Sequence, residues 1–511
     1  MESRFQNSLR NVVFGLAGQI INIIMSFALR TVLNNAFSLE ILGVNGTFTN
    51  ILMVFSLADL GVGTAIIFAL YRPIAEGDIP KIQSLMKMYK KAYITIGCVI
   101  MAMGLALMPF IHSFVKSETP IPNLQLIFMI FVFNTAATYF FSYKGTLITA
   151  HQKNYIVTNV VYATSVLCYI IQILVVKLTH NYILSLTIQA ATNALQGIIT
   201  MIIANRMFPY LKDKNIPDLS KGEKQKIYRN MGSLMFYRTG QVVINGTDSL
   251  LISSLVDASI AGLYSNYSMI TVTIKNLLQQ VFNAVTASIG NLAVVESDER
   301  KYEIYNVLYF VNFWLFGFAA VCLVSLLTPF IRIWVGAEKM MDMLPVILVV
   351  LNFYLVGMRN VNIVFRDAMG VFKEGRFVPI TSAIINVGVS IVCTIKLGLI
   401  GAFLGTTISM VCTLVWMEPV VLFRHGFKRS PWPYFKQYTL YFVAVVAASV
   451  IAIFLTRLVP GHGLLSFLLK GLIAVITPNL FFALLFWRTK EFQMLYRKLG
   501  GMLKKRMGRR A

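Results

Sequence analysis

Apolar stretches long enough to cross a membrane recur from one end of this sequence to the other. They fall at about 11–33, 43–71, 85–115, 124–149, 155–178, 183–205, 231–256, 260–294, 303–335, 343–370, 376–396, 400–423, 435–458 and 464–487. A hydrocarbon core of ~30 Å takes ~20 helical residues to cross. Lipid offers no partner to backbone N–H and C=O groups, so only helices or closed barrels can span it. Barrel strands alternate apolar and polar residues over ~10 positions, whereas these runs are continuous. The sequence therefore predicts an all-α polytopic membrane protein with about fourteen transmembrane helices. The composition agrees: 13% of residues are charged and 57% are apolar, where a soluble chain carries about 25% charged residues.

The net charge of +24 would suit a nucleic-acid binder, but its distribution points elsewhere. With the N-terminus inside, roughly 33 of the Lys and Arg fall in cytoplasmic segments and about 6 in external ones, which is the positive-inside bias. An even number of spans then puts both termini in the cytoplasm, and the basic tail Lys504–Arg510 meets anionic headgroups. No nucleic-acid partner is expected. Cys98, Cys168, Cys322, Cys393 and Cys412 all sit in apolar spans, so neither a disulfide nor a metal site is expected. The first apolar segment lacks a small-residue cleavage site and is long enough to span, so it does not read as a signal peptide. No P-loop occurs, the histidines lack metal spacing, and the external loops are too short for a catalytic domain. The expectation is a protein that is not an enzyme and needs no cofactor, with Na⁺ or H⁺ coupling as the minority reading.

The chain divides at Arg206–Arg229, a polar stretch with two prolines and seven basic residues. The two sides repeat each other at an offset of about 219–220 residues. Pro109–Val115 (PFIHSFV) returns as Pro329–Val335 (PFIRIWV), and Leu42-Gly43-Val44 returns as Ala261-Gly262-Leu263. Gln19, Asn22 and Ser26 return as Arg238, Gln241 and Asn245. The expected layout is a six-helix bundle over 1–205, a cytoplasmic linker over 206–230 and a second bundle over 231–424. Two additional helices over 425–490 and a basic tail over 491–511 follow. Six spans per unit give both units the same orientation, with the substrate path expected between them.

Polar residues inside the spans mark that path. Gln19, Asn22, Ser26 and Arg30 share one face of the first helix, and Arg238, Gln241, Asn245 and Asp248 share one face of the seventh. A charged group facing lipid costs several kcal/mol, so such stripes face a partner helix or water. Asp59, Lys144, Lys275 and Arg359 add further charges. Arg30, Lys144, Arg238, Lys275 and Arg359 against Asp59 and Asp248 leave about three positive charges in excess, a balance suited to an anion. The planar fork of Arg suits phosphate in particular. Asp59 and Asp248 are read as counter-ions or coupling groups. Arg30 and Lys144 also lie near enough to span ends to snorkel, and Arg366 with Asp367 reads as a local ion pair. Gly401-x-x-x-Gly405 reads as close helix packing.

Several segments carry a resemblance. The first span ending in Arg30, Leu39–Gly46 (LEILGVNG), Leu57–Ala65 (LADLGVGTA), Gly262–Tyr267 (GLYSNY) and Leu397–Ala402 (LGLIGA) resemble the polysaccharide transporters, the Wzx-type oligosaccharide flippases. These belong to the MOP superfamily, together with MATE-type multidrug extruders and lipid II flippases. The resemblance covers most of the chain. It implies a V-shaped pair of bundles that alternates between inward and outward openings. It implies an undecaprenyl-pyrophosphate-linked oligosaccharide substrate, moved from the inner to the outer leaflet of the bacterial plasma membrane. It also gives the last two helices a task, a groove for the polyprenyl tail. Polysaccharide polymerase and glycosyltransferases are implied partners, beside the membrane lipids. A MATE-like cation-coupled exporter and a lipid II flippase are the alternatives. A membrane glycosyltransferase or polymerase is disfavoured, because such enzymes carry sizeable external loops.

Overall fold

The structure is a computed structural model. It describes residues 4–59, 62–151, 153–213, 218–225, 247–295, 297–371 and 374–497. Among these there are helices, turns and bends but no strand. Ten of the described helices are long and apolar enough to cross a membrane. Helix also covers the predicted spans at 11–33 and 260–294 and most of the described part of the one at 43–71, while the one at 231–256 is described only from Thr247 onward. The chain forms two compact units, Met1–Gly262 and Leu263–Ala511. The division thus falls after the predicted linker, because the start of the second repeat packs with the first unit.

In the first unit α1 (Arg4–Ala36) lies along α7 (Asn154–Thr179). They pack closely enough that a Cβ on Gly18 would sit 2.1 Å from the Tyr162 ring. The second span is broken: α2 (Leu39–Phe55) tightens into a 3₁₀ turn at Ser56–Asp59, and α3 (Val62–Glu76) follows. Next come α4 (Ile79–Leu107), α5 (Leu124–Ser142), α6 (Gly145–Ala150) and α8 (Tyr182–Met207). The starts of α4 and α8 carry polar caps. The Asp78 side chain accepts from the Lys81 N–H at 3.0 Å, and Asn181 accepts from the Leu184 N–H at 3.0 Å. Phe48, Phe128, Phe131, Val132 and Ile100 fill the core between α2, α4 and α5. Phe48 meets the other two rings edge-on at 5.1 and 5.8 Å.

The predicted linker does not hang free of this unit. Gln83 on α4 donates to the Tyr210 carbonyl at 2.6 Å and to Asp213 Oδ2 at 2.7 Å. Lys87 pairs with Asp218 at 2.9 Å, Lys81 pairs with Glu223, and Leu219 is buried. Further on, the Lys116 N–H donates to the Ser253 carbonyl at 2.9 Å, and the Ala258 N–H donates to the Lys116 carbonyl at 2.7 Å. Two glycines then meet: a Cβ on Gly43 would lie 1.8 Å from the Ala258 oxygen, and one on Gly262 would lie 1.9 Å from the Leu39 oxygen.

The second unit takes in most of α9 (Ala258–Val295), then α10 (Asp298–Val335), α11 (Met343–Met358), α12 (Asn360–Met369), α13 (Val378–Leu397), α14 (Leu399–Cys412) and α15 (Leu414–Val421). The additional pair is α16 (Trp432–Arg457) and α17 (Leu464–Phe486). Ser297 caps α10, with Asp298 and Glu299 in its first turn favouring the positive end of the helix dipole. Gly401 and Gly405 pack against α13, where added Cβ atoms would lie 1.9 Å from the Cys393 oxygen and 2.4 Å from Ser390 Cα. The G-x-x-x-G motif is therefore a packing motif here. The additional pair docks on α10 through rings: Phe313 stacks on Tyr441 at 4.0 Å, with Phe482 and Phe486 at 4.9 and 5.3 Å. Trp314 Nε1 donates to Asn479 Oδ1 at 2.9 Å. Repeat 2 stays helical through its PFIRIWV segment, whereas Met108–Phe114 of repeat 1 is 3₁₀.

Candidate functional site

Three of the predicted charges stand where their own spans break. Asp59 ends the 3₁₀ turn between α2 and α3, Lys144 separates α5 from α6, and Arg359 separates α11 from α12. At a break the i→i−4 ladder is interrupted, and i→i−3 bonds replace it: Leu147 N–H to the Lys144 carbonyl at 3.2 Å, and Arg359 N–H to the Val356 carbonyl at 3.3 Å. In membrane helices such interruptions are confined to places buried in protein or lining a polar cavity. The Tyr93 hydroxyl lies within hydrogen-bond reach of Asp59, and Tyr89 and Tyr139 are near enough to feel its charge. Tyr89 and Tyr93 stand 4.3 Å apart, Tyr93 and Tyr139 5.4 Å, and Tyr89 shares a 3.0 Å hydrogen bond with Thr146 on α6. The broken second and fourth spans are thus tied together through the tyrosines of α4.

Arg30 lies beside Tyr182 at the start of α8, and the Tyr182 hydroxyl accepts from Asn45 at 3.2 Å. Lys144 donates from Nζ to Asn205 Oδ1 near the end of α8. Along α8 those two places are roughly 35 Å apart, at ~1.5 Å per residue. This corrects the expectation of one shared cationic site: Arg30 and Lys144 cannot hold the same phosphate. On α1, Gln19 and Asn22 are half-buried and Asn22 reaches Tyr169 of α7, while Ser26 Oγ donates to the Ile23 carbonyl at 2.8 Å. Part of that stripe is therefore interhelical hydrogen bonding. Asp248 is half-buried in the short apolar helix Thr247–Val256. Arg238, Gln241 and Asn245 lie outside the described residues.

Arg359 is also corrected. Its Nε and Nη2 both donate to Glu418 on α15, at 2.8 and 2.7 Å, and the two residues are 8% and 5% exposed. That bidentate pair neutralises Arg359 and removes one charge from the expected excess. Glu418 was missed in the sequence, although an acid inside the twelfth apolar span was the available signal. Around the pair runs a polar layer: Tyr305 donates to Asn362 Oδ1 at 2.6 Å, and Asn362 donates to the Tyr434 hydroxyl at 3.1 Å. Arg366 and Asp367 form the expected local pair at 2.6 Å. Lys275 differs from all of these. It is half-buried on α9, and no carboxylate pairs with it among the described residues.

Ten long apolar helices among the described residues, with spans broken at charged side chains, make this a multi-pass membrane protein. The family model of polysaccharide biosynthesis proteins matches residues 8–287, and the chain belongs to that family. A search of curated proteins finds no match. Among solved structures, the lipid II flippase MurJ in an inward closed conformation is similar, with a TM-score of 0.67 and 14% identity, covering 93% of this chain and 99% of that one. An inward-facing multidrug resistance MATE family transporter of the MOP superfamily gives a TM-score of 0.62 at 13% identity, over 80% of this chain and 98% of that one. The Vibrio cholerae MATE transporter VcmN gives 0.58 at 13% identity, over 84% and 99%. These likenesses establish a shared fold. The protein is a multi-pass membrane protein of the polysaccharide biosynthesis family.

Proposed function

We propose that this protein is a flippase that carries an undecaprenyl-pyrophosphate-linked oligosaccharide from the inner to the outer leaflet of a bacterial plasma membrane, for surface polysaccharide assembly. Lys275 is the observation that carries the reading. A cation within a spanning helix costs several kcal/mol unless water, an acid or an anionic ligand meets it. Among the described residues Lys275 has no acid. A pyrophosphate is a fitting visitor: it meets the ammonium in transit and leaves it behind. The headgroup needs only a polar route, since its tail stays in lipid. With the interior negative, moving one negative charge outward releases ~2.3 kcal/mol per 100 mV. No bond is made or broken, so the reading needs neither a catalytic group nor a cofactor. The polymerase and glycosyltransferases that use the lipid-linked sugar are its natural partners.

The test uses proteoliposomes loaded with undecaprenyl-pyrophosphate-linked oligosaccharide, with transfer read as accessibility of the glycan to an external glycosidase. Lys275→Gln is expected to slow transfer at least tenfold and Lys275→Arg to retain most of it. Unchanged transfer by Lys275→Gln sinks the role given to this residue. Failure of the wild-type protein to move any lipid-linked glycan sinks the reading as a whole. Lipid II in the same vesicles separates this reading from a lipid II flippase. The Asp59–tyrosine cluster favours a second reading, a MATE-like cation-coupled multidrug exporter. Dye resistance in a host stripped of its own exporters, lost in Asp59→Asn, would support it.

A further inference from the structure

Where α16 and α17 join, the second unit holds two adjoining cavities of about 200 and 160 Å³. Both are lined by Thr328, Pro329 and Lys470. Arg332 and His462 line the first and Arg457 the second, and no acid lines either. None of Arg332, Arg457 or Lys470 has a carboxylate partner among the described residues. Lys470 Nζ makes one hydrogen bond, to the Gly461 carbonyl at 3.2 Å. Glu338 and Asp342, on the turn after α10, are exposed and line neither cavity. Ser325 lines the second cavity, is 7% exposed, and its Oγ has no hydrogen-bond partner. Thr328 Oγ1, which lines both cavities, lies near the Tyr267 hydroxyl. Native proteins leave few such groups unsatisfied, so the Ser325 hydroxyl is available to donate to a group that enters the cavity. Pro329 opens the wall further, since it has no N–H to give the Ser325 carbonyl one turn earlier.

The surroundings decide what kind of anion fits. At ~30 Å³ per water molecule, the larger cavity has room for a phosphate with a small substituent. Ile333 lines it and is exposed, and exposed apolar residues adjoin its lining in sequence: Leu464 and Leu465, the latter 74% exposed, follow Gly463, and Leu458 follows Arg457 of the second cavity. The cavities lie toward the end of α10 and of α16 and the start of α17, the ends of membrane-type helices, where lipid headgroups are expected. An amphiphile can therefore lay its chains on that surface and its phosphate among the cations. The site belongs to repeat 2 alone. Its Arg332 stands where repeat 1 has His112, and the docked additional pair supplies Arg457 and Lys470.

We propose that this pocket binds the phosphate of an anionic lipid headgroup, with Arg332, Arg457 and Lys470 as its cations and the hydroxyls of Ser325 and Thr328 as its donors. The proposal stands whichever substrate the transporter moves. Two sources carry this chemistry, a phospholipid of the surrounding leaflet and a polyprenyl phosphate. Purified full-length protein in detergent is titrated with phosphatidylglycerol, phosphatidylcholine, undecaprenyl phosphate and inorganic phosphate, and bound lipid is read by native mass spectrometry. The wild type is expected to hold one anionic lipid at least tenfold more tightly than phosphatidylcholine. The double variant Arg332→Gln/Lys470→Gln is expected to lose that preference, and Ser325→Ala to weaken binding severalfold. Lys436→Gln, at the opposite end of α16, leaves it unchanged. Preference for phosphatidylglycerol assigns the site to the leaflet, and preference for undecaprenyl phosphate assigns it to the polyprenyl lipid. Equal binding of neutral and anionic lipid, retention of inorganic phosphate alone, or full preference in the double variant overturns the proposal.

Discussion

Arg359 shows how far a single residue can be read from its type. Its charge and its depth were both legible, and both pointed to a ligand. What decides its role is Glu418, 59 positions away, and a pairing at that separation is set by tertiary placement. Lys275 has the same legible features and, among the described residues, no such partner. The two cations should therefore behave differently when neutralised. Removing one member of a buried ion pair typically costs ~3–5 kcal/mol, because the other charge is left uncompensated, while replacing both with apolar residues is often close to neutral. Glu418→Gln and Arg359→Met should each lower the thermal unfolding temperature in detergent, and Arg359→Met/Glu418→Met should recover most of the loss. Additive losses in the double variant would show that the two side chains do not depend on each other.

The elements divide into those their sequence announces and those it does not. Apolar length locates the membrane helices, and Asp78, Asn181 and Ser297 mark their starts. The breaks at Asp59, Lys144 and Arg359 have no comparable local signal: each lies within a run that reads as one continuous span. The linker is the opposite case, polar enough to be recognised but held down by contacts that composition does not reveal. Lys81, with help from the Ser220 hydroxyl and N–H, holds the Glu223 carboxyl down at about 2, and Lys87 keeps Asp218 below its ordinary value. Both carboxylates have depressed values, so their contribution is complete above the ordinary carboxylate range and fades as pH falls, for Glu223 through about 2. Hydrogen exchange across residues 218–225 should thus show unchanged protection between pH 8 and 5 after correction for intrinsic rates. Lys81→Ala, Lys87→Ala or ~1 M salt should accelerate it severalfold. Protection lost between pH 8 and 6 would contradict this account.

At the scale of the whole molecule, the internal repeat was the most legible feature, and the meeting of Gly43 and Gly262 gives it physical content. The two are 219 residues apart, and so are Leu39 and Ala258, whose carbonyl oxygens they face. A Cβ at either glycine would come within 2 Å of a backbone oxygen, which no side-chain adjustment relieves. Gly43→Ala and Gly262→Ala should cause losses of monodisperse protein of similar size. Gly388→Ala and Gly471→Ala, where nothing lies within 4 Å, should leave the yield near wild type. Unequal effects at Gly43 and Gly262 would argue against an equivalent role. A contact in which residue i meets residue j while the counterpart of j meets the counterpart of i is what a two-fold axis produces between identical subunits. A half-length ancestor, associating with its own copy, would have needed only one glycine for both sides of the crossing. In a chain that carries both halves, each side of the crossing needs a glycine of its own, at 43 and at 262.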